Sequence, residues 1–465
     1  MNTSSPRPPD LNPGQRQRLA EIFAPADLAL DPASRWSYGY DNSRRQAMPQ
    51  AVAFAREAAQ VQALVRFCAD EGLPLVARGR GTGTTGATVP DRGGVVLSFE
   101  RMGRIIEIAP ADRLAVVEPG LTNAALQRAL APQGLFWPPD PTSAAACTLG
   151  GNLAYNSAGP HAVKYGTPRE NTLGLEAVTG TGELIRTGVR TTKGVVGYDL
   201  TRLLIGSEGT LALITRATLR LHPLPEARRG LRAAYGDVAA AAAAVAAIMG
   251  QAAIPSALEF MDRAALGLVR EAGVALPEAA GALLLLEVDG PRGCIDNAVE
   301  AVAAAARVDG LVELLAPDDM EALWAARRAL SPALRRIAPK KINEDVAVPV
   351  SQLPALVSAL EALGEAHGIR IVNFGHAGNG NLHVNLLIDP DRPGEAERAR
   401  ACLGAVFDQV LALGGTLSGE HGVGLEKRDY VGREIAAPSL ALMRGLKQVF
   451  DPRGILNPGK GLPEG

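Results

Sequence analysis

The sequence predicts an α+β protein of more than one domain, and three observations carry that prediction. Short β-rich runs broken by glycine turns fill about 93–118 and 172–220. Alanine-rich helices alternating with strands follow from about 225. At 465 residues the chain is long enough for two or three cores, at roughly 150 residues per domain.

After a proline-rich tail, 49–77 reads as a helix, with Val61, Leu64, Val65 and Cys68 at helical spacing. It breaks at Gly72 and Pro74 and resumes as the buried strand Leu75-Val76. GVVLSF, RIIEIA and LAVVEPG read as strands, and TNAALQRALAPQG as a helix capped by Thr122 and ended by Gly134. LGLEAVTGTGELI and GTLALITRATLRL return to strand. The character changes near Pro223 and Pro225, and the tail from about 418 returns to a glycine-rich style, which together give domains at 1–224, 225–417 and 418–465. Within the second of these, helices at 237–250, 293–308 and 318–337 with strands at 256–260, 282–288 and about 310–316 suggest helices on an antiparallel sheet.

Lys and Arg (47) nearly balance Asp and Glu (49) and no long basic run occurs, so a nucleic-acid partner is excluded. The first 24 residues lack an apolar h-region, and Val238–Met249 is too short to span a bilayer, so a soluble cytoplasmic protein is expected. Four cysteines lie far apart without C-x-x-C, against a disulfide framework, a structural zinc site or an iron–sulfur cluster.

Directly after the strand at 75–76, Arg78-Gly79-Arg80-Gly81-Thr82-Gly83-Thr84-Thr85-Gly86 places four glycines in nine residues. Glycine lets backbone N–H groups converge into a nest for a diphosphate. A flexible turn is the plainer reading of such a pattern alone. No G-K-[ST] follows, and the chain continues to strand instead of helix, so neither a Walker loop nor a Rossmann fingerprint fits. A second stretch, 138–183, packs Pro, Gly, Asn, Ser and Thr at a density a mere loop does not require.

Taken together, RGxGTxxxG, PPDPTSxxxCTxGGNLAxNSAGP, KGVVGYDLTRLLIGSEGTLALIT, NFGHAGNGNLHVN, SGEHGVGLEKR and FDPRGILNPGK resemble the flavoprotein family of D-lactate dehydrogenase, the glycolate oxidase FAD subunit and D-2-hydroxyglutarate dehydrogenase, of the vanillyl-alcohol oxidase type. The six motifs run in order from about residue 40 to 461. The resemblance implies a two-subdomain α+β FAD-binding domain with a ferredoxin-like α+β cap. It implies that Arg78, Gly79, Arg80, Gly81, Thr82, Gly83, Thr84 and Gly86 wrap the FAD diphosphate. Pro141, Thr142, Ser143, Thr148, Gly151, Asn152, Ser157 and Gly159 would line the flavin and ribityl chain. Glu208, Gly209 and Ile214 would lie toward the adenine, and Asn457 would return to the isoalloxazine. Arg80 departs from the glycine of many relatives, and its side chain can point outward. Residues 78–88 contain no histidine, so non-covalent FAD is expected.

In Asn-Leu-His383-Val-Asn385, strand alternation puts His383 and Asn385 on one face. His376 lies seven residues earlier across a glycine turn, and Glu420-His421 sits between Gly419 and Gly422. Two neutral imidazoles and a carboxylate suit a divalent metal, Zn²⁺ first, with Mn²⁺ or Fe²⁺ as alternatives. Buried histidines satisfied without metal are the bland alternative. The resemblance gives the same assignment, with His376, His383 and Glu420 as ligands and His421 as base; Asn385 joins the catalytic set. Arg327, after Trp324, matches relatives whose arginine forks onto a carboxylate, while Arg328, Arg335 and Arg336 read as a solvated face. Relatives acting on 2-hydroxyglutarate tend to carry a lysine where this chain reads Ile342-Asn343-Glu344-Asp345, leaving Lys340 or Lys341 to substitute. His161, His222 and His367 read as loop or surface histidines.

The function implied is an FAD-dependent dehydrogenase that oxidises a D-2-hydroxy acid by hydride transfer to flavin N5. Reoxidation would use a quinone, a cytochrome, an electron-transfer flavoprotein or an iron–sulfur subunit, and a homodimer is compatible with the chain. The rival readings are an oxidase using O₂ directly, a non-redox FAD-dependent alkyl transferase and a flavin-binding subunit of a larger complex.

Overall fold

The computed structural model describes residues 9–271, 273–317 and 321–463, with the side chains at 322, 323, 326, 332 and 335 outside that description. Arg335, read above as part of a solvated face, is among the latter. The chain divides into two units. One takes the chain up to Ala158, Gly166–Leu224 and everything from Glu420 on; the other takes Gly159–Tyr165 and Pro225–Gly419. The short segment 159–165 thus groups with the second unit although the sequence reading kept it in 1–224.

The first unit holds two sheets. β1 (Leu28–Ala29), β2 (Ala51–Phe54), β3 (Leu75–Arg78) and β4 (Val95–Ser98) run in the order β1-β2-β4-β3, with β2 and β3 parallel to β4. The sequence reading gave 49–57 to a helix, but Ala51–Phe54 is a strand buried on both faces and the helix begins only at Ala58. A short apolar run carries no periodicity that separates the two. Val61, Leu64, Val65 and Cys68 of that helix pack into the core of this sheet with Leu75, Val95 and Leu97.

The second sheet uses β5 (Ile105–Ala109), β6 (Leu114–Val117), β8 (Thr172–Thr179), β9 (Leu184–Gly188) and β10 (Ala212–Arg220), in the antiparallel order β5-β6-β10-β8-β9. Between β6 and β8, β7 (Leu135–Phe136) pairs with β11 (His222–Pro223). The helix Asn123–Leu130 starts where Thr122 Oγ1 accepts the Ala125 N–H at 3.3 Å, and a short 3₁₀ turn ends at left-handed Gly134. Trp137, Leu149, Leu204 and Phe450 complete its core. The C-terminal segment returns to the first sheet, where Ile455 and Leu456 are buried beside Leu75.

The second unit is a seven-stranded antiparallel sheet of β12 (Ala227–Tyr235), β13 (Ala257–Asp262), β14 (Ala282–Gly290), β15 (Leu311–Leu315), β16 (Lys340–Ala347), β17 (Arg370–His376) and β18 (Asn381–Ile388). The order is β15-β12-β14-β13-β17-β18-β16. Its first four strands lie fourth-first-third-second with helices after the first and third, the ferredoxin-like pattern, to which the helix Arg263–Glu271 after the second is added, and three strands extend the β13 edge. Every residue of β13 and β18 is buried, so both faces are covered. On one face Met261, Leu283, Leu285, Val372 and Phe374 pack against the helices Arg263–Glu271 and Glu321–Ile337. Among the described residues, no helix is long and apolar enough to cross a membrane.

Candidate active site

In the first unit, β3, β10 and the helix Leu149–Tyr155 wall a cleft. Seven of the residues singled out in the sequence line it: Arg78, Gly79, Thr148, Gly151, Glu208, Gly209 and Ile214. Local chemistry explains the small residues. A Cβ on Gly79 would lie 2.2 Å from Thr148 Oγ1, the hydroxyl that accepts the Gly151 N–H and caps the helix. Gly81 needs φ +65°, and a Cβ there would strike the Arg78 guanidinium. The Arg80 side chain points outward, half exposed, with its nearest carboxylate, Glu100, at 4.0 Å.

Several side chains are placed differently from the sequence reading. The Arg78 guanidinium donates to Tyr40 O at 2.6 Å and lies over the Tyr38 and Tyr40 rings. Pro141, Thr142 and Ser143 form a turn outside the residues walling the cleft, Ser143 O accepting from Ala146 and Cys147 N–H. Asn152 spends its carboxamide on Cys147 and Asn123. Gly159 falls in the other unit. Thr82 and Gly83 are pinned by a residue the sequence reading missed, Asn42, whose side-chain and backbone N–H groups donate to Thr82 O (3.1 Å) and Gly83 O (2.9 Å). Thr84 and Gly86, the latter at φ +78°, complete the turn.

Asn457, at φ +43°, donates from Nδ2 to Ala87 O (2.9 Å) and Glu208 O (2.8 Å), tying the glycine-rich turn to the Gly206–Gly209 turn. Among the described residues its buried Oδ1 has no hydrogen-bond partner. Glu208 was expected to face the adenine, yet its carboxylate turns to the segment bearing His421. It accepts from Val423 N at 2.5 Å and Gly424 N at 2.8 Å, while its own backbone sits at φ +53°. Burial pushes this carboxyl up, against the pull of those two N–H groups. Ser157 Oγ donates to Glu420 O and Thr85 Oγ1 to His421 O, each at 3.4 Å, so three side chains hold the Glu420–Gly424 segment from behind.

In the second unit, register sets a polar cluster into an apolar sheet face. Glu259 on β13 stands opposite His376 on β17, and Phe374 stands opposite His383 on β18. Cross-strand partners share a face. The His376 and His383 rings meet edge to face, 5.1 Å between centroids and 85° apart. Glu259, 2% exposed, gives Oε1 to His376 Nδ1 and Oε2 to Arg327 Nη2, the latter at 2.6 Å. Arg327 comes from the helix Glu321–Ile337 and lies over the Phe374 ring at 4.6 Å, its Nε buried without a partner among the described residues. Burial alone would raise the Glu259 carboxyl; His376 and Arg327 outweigh it and hold it down to about 2. Asn385 is fully buried and donates to Val372 O and His383 O at 3.1 Å, leaving Oδ1 without a partner. Glu420 is the residue after Gly419, whose N–H donates to Asp345 O at 3.3 Å; Asp345 is the β16 partner of His383.

Glu259 was missed in the sequence, although a single acid inside the apolar run Ala-Leu-Glu-Phe-Met was a usable sign. His161 and His222 are not idle surface groups. His161 pairs with Glu287 at 3.1 Å, and His222, bonded to Asn171, is pushed down to about 4 by burial.

The fold agrees with what known proteins show. Residues 224–461 match the model of FAD linked oxidases, C-terminal domain, and residues 49–188 match that of the FAD binding domain. The chain belongs to the FAD-linked oxidase family. It is an FAD-dependent oxidoreductase by that membership. The glycolate oxidase subunit GlcD of Bacillus subtilis (strain 168) is 39% identical over 96% of each chain. A probable mitochondrial D-lactate dehydrogenase of Danio rerio is 34% identical over 93% of this chain and 88% of its own. The crystal structure of p-cresol methylhydroxylase with substrate bound superposes with a TM-score of 0.79 at 18% identity, covering 98% of this chain and 99% of that one, and shows the shared fold.

The residues present fit the family's cofactor. Gly151 and Gly209 keep the cleft wall open where a side chain would narrow it, and the orphaned Asn457 Oδ1 offers a buried acceptor. A divalent metal fits the second cluster by its donor set. His376 shares Nδ1 with a carboxylate, the contact a metal-bound histidine usually makes.

Proposed function

We propose that this FAD-linked oxidase dehydrogenates a short D-2-hydroxy monocarboxylate, of the D-lactate or glycolate class, to the 2-oxo acid. The observation that carries the reading is the Glu259 cluster, where a guanidinium suited to a carboxylate and a metal-type histidine share one buried anion. Bound FAD supplies the two-electron acceptor for the hydrogen on C2. A divalent ion, Zn²⁺ before Mn²⁺ or Fe²⁺, would be held by His376, His383 and Glu420 and supplies a Lewis acid for the hydroxyl oxygen. The chain's own groups do the rest. Arg327 anchors the carboxylate, its unpartnered Nε–H giving a second donor for a forked contact. His421 takes the hydroxyl proton, its imidazole nitrogen acting as the general base. Asn385 positions the β18 backbone beside His383. The glycine-rich turn at 78–86 and residues 148–151 cradle the non-covalent cofactor.

A monocarboxylate is favoured because nothing on β16 is placed for a second acid group. The β16 residue opposite His383 is Asp345. Lys341 lies four residues up the strand, about 13 Å away at 3.3 Å per residue, and its Nζ is taken by Ser331 Oγ at 2.5 Å. Lys340 stands one residue farther. Electrons leave through a separate acceptor such as a quinone or a protein carrier.

The deciding experiment is anaerobic bleaching of the flavin by D-lactate, L-lactate, glycolate and D-2-hydroxyglutarate, with and without a chelator. D-lactate or glycolate should bleach fastest, and chelation should slow bleaching without loss of yellow colour. Bleaching by L-lactate alone, or by no acid, overturns the reading; preference for D-2-hydroxyglutarate overturns its monocarboxylate part.

A further inference from the structure

Glu259 is buried to 2% exposure in the middle of an apolar sheet face, and its two oxygens are divided between two groups of different use. Oε2 holds Arg327 Nη2 at 2.6 Å and Oε1 takes His376 Nδ1. Burying a carboxylate costs several kcal/mol, and well-packed apolar side chains of the same volume commonly serve stability better. An anion retained here is therefore best explained by what it holds. The neighbours leave little slack. Arg327 is clamped between Phe374, 4.6 Å below its guanidinium, and Glu259; Phe374 in turn packs at 5.7 Å on the His383 ring. The strand register that pairs Glu259 with His376 and Phe374 with His383 fixes all four on one lattice.

We infer that Glu259 is a positioning residue that couples substrate anchoring to metal holding. It fixes the His376 tautomer, so that Nδ1 carries the proton and Nε2 is the nitrogen that would ligate, and through its other oxygen it fixes the direction of the Arg327 fork. One substitution at Glu259 should therefore weaken two functions that no single ligand contact joins. This rests on the reading of His376 as a metal ligand and Arg327 as the carboxylate anchor.

The test is Glu259→Gln in the FAD-loaded enzyme, beside Arg327→Met and His376→Ala. Zn²⁺ affinity is read by competition with a chromogenic chelator, and Co²⁺ loading by its visible spectrum. KM and kcat are taken for D-lactate and glycolate. Glu259→Gln should weaken Zn²⁺ by 10–100-fold, the range for loss of a carboxylate behind a ligating histidine, alter the Co²⁺ spectrum, and raise KM more than it lowers kcat. Arg327→Met should raise KM with Zn²⁺ binding nearly unchanged. Flavin absorbance reports the fold; if Glu259→Gln does not fold, Glu259→Asp, too short to span both partners, should lose one function and keep part of the other. Unchanged Zn²⁺ affinity and unchanged KM in a folded Glu259 variant overturn the coupling while the metal reading stands. A wild-type enzyme that binds neither ion, with His376→Ala fully active, overturns the metal reading and the coupling with it.

Discussion

Replacing Glu208 by glutamine should loosen the segment that carries His421 while leaving the flavin bound. The carboxylate accepts two backbone N–H groups, from Val423 at 2.5 Å and Gly424 at 2.8 Å. Hydrogen bonds to a charged acceptor contribute about 1.5–3 kcal/mol each. Glutamine keeps one neutral acceptor, worth about 1 kcal/mol, and turns an NH₂ toward the other N–H. Relief from burying a charge offsets part of the loss, leaving a net cost of about 2 kcal/mol. At 1.4 kcal/mol per factor of ten, local opening rises about 30-fold. Hydrogen exchange followed by mass spectrometry should show that gain in the peptide spanning 420–427, with little change in the peptides from β3 and β10. Anaerobic bleaching should slow, because His421 is no longer held at one place, and the flavin spectrum should persist, because the Glu208 carboxylate is engaged with Val423 and Gly424. Unchanged exchange at 423 and 424 would refute the idea that Glu208 holds this segment.

Three other substitutions probe different levels of the fold. Gly79→Ala places a Cβ 2.2 Å from the Thr148 hydroxyl that caps the helix Leu149–Tyr155; flavin retention on gel filtration should fall at least ten-fold, by about 1 kcal/mol for the cap and more for the clash, and full retention would count against the cradle. Asp262 is raised from 3.8 to about 6, chiefly by burial and despite N–H donation from Ala265 and Asn373. The native state then binds the proton more tightly than the unfolded one, so this group's contribution falls as pH rises from about 4 to about 6, by about 3 kcal/mol in all. Urea midpoints at pH 4 and 7 should therefore lie closer together in wild type than in Asp262→Asn if carboxylates elsewhere favour neutral pH, and parallel shifts in the two proteins would exclude the assignment. Gly267 lies inside the helix Arg263–Glu271 with no atom within 4 Å of an added Cβ; Gly267→Ala should stabilise by about 0.5–1 kcal/mol, read as a higher Tm with unaltered bleaching.

What the chain disclosed by inspection, and what it withheld, follows from the range of the interactions. Thr122 before a helix, Gly134 after it and the glycines of 79–86 act within a few residues, so their chemistry is visible in the order of the letters. The alternation that set His383 and Asn385 on one side of a strand is equally local. Ala51–Phe54 was opaque because a strand buried on both faces has no alternation to show, and only its seat between β1 and β4 made it a strand. The carboxylates were opaque for a different reason. Glu208 reaches N–H groups 215 and 216 residues away, and Glu259 reaches His376 across 117. Neither acid has a local partner that would mark its direction, and each sits in a motif or run that invites another reading, a cofactor loop for one and an apolar strand for the other. Arg78 shows the converse: its place at the head of a glycine turn suggests a phosphate ligand, yet Tyr38 and Tyr40, some 40 residues earlier, take its guanidinium. Backbone donors in a glycine turn are fixed by φ and need no charge behind them. A charged side chain, by contrast, goes where its burial is compensated, which the fold decides and the motif does not.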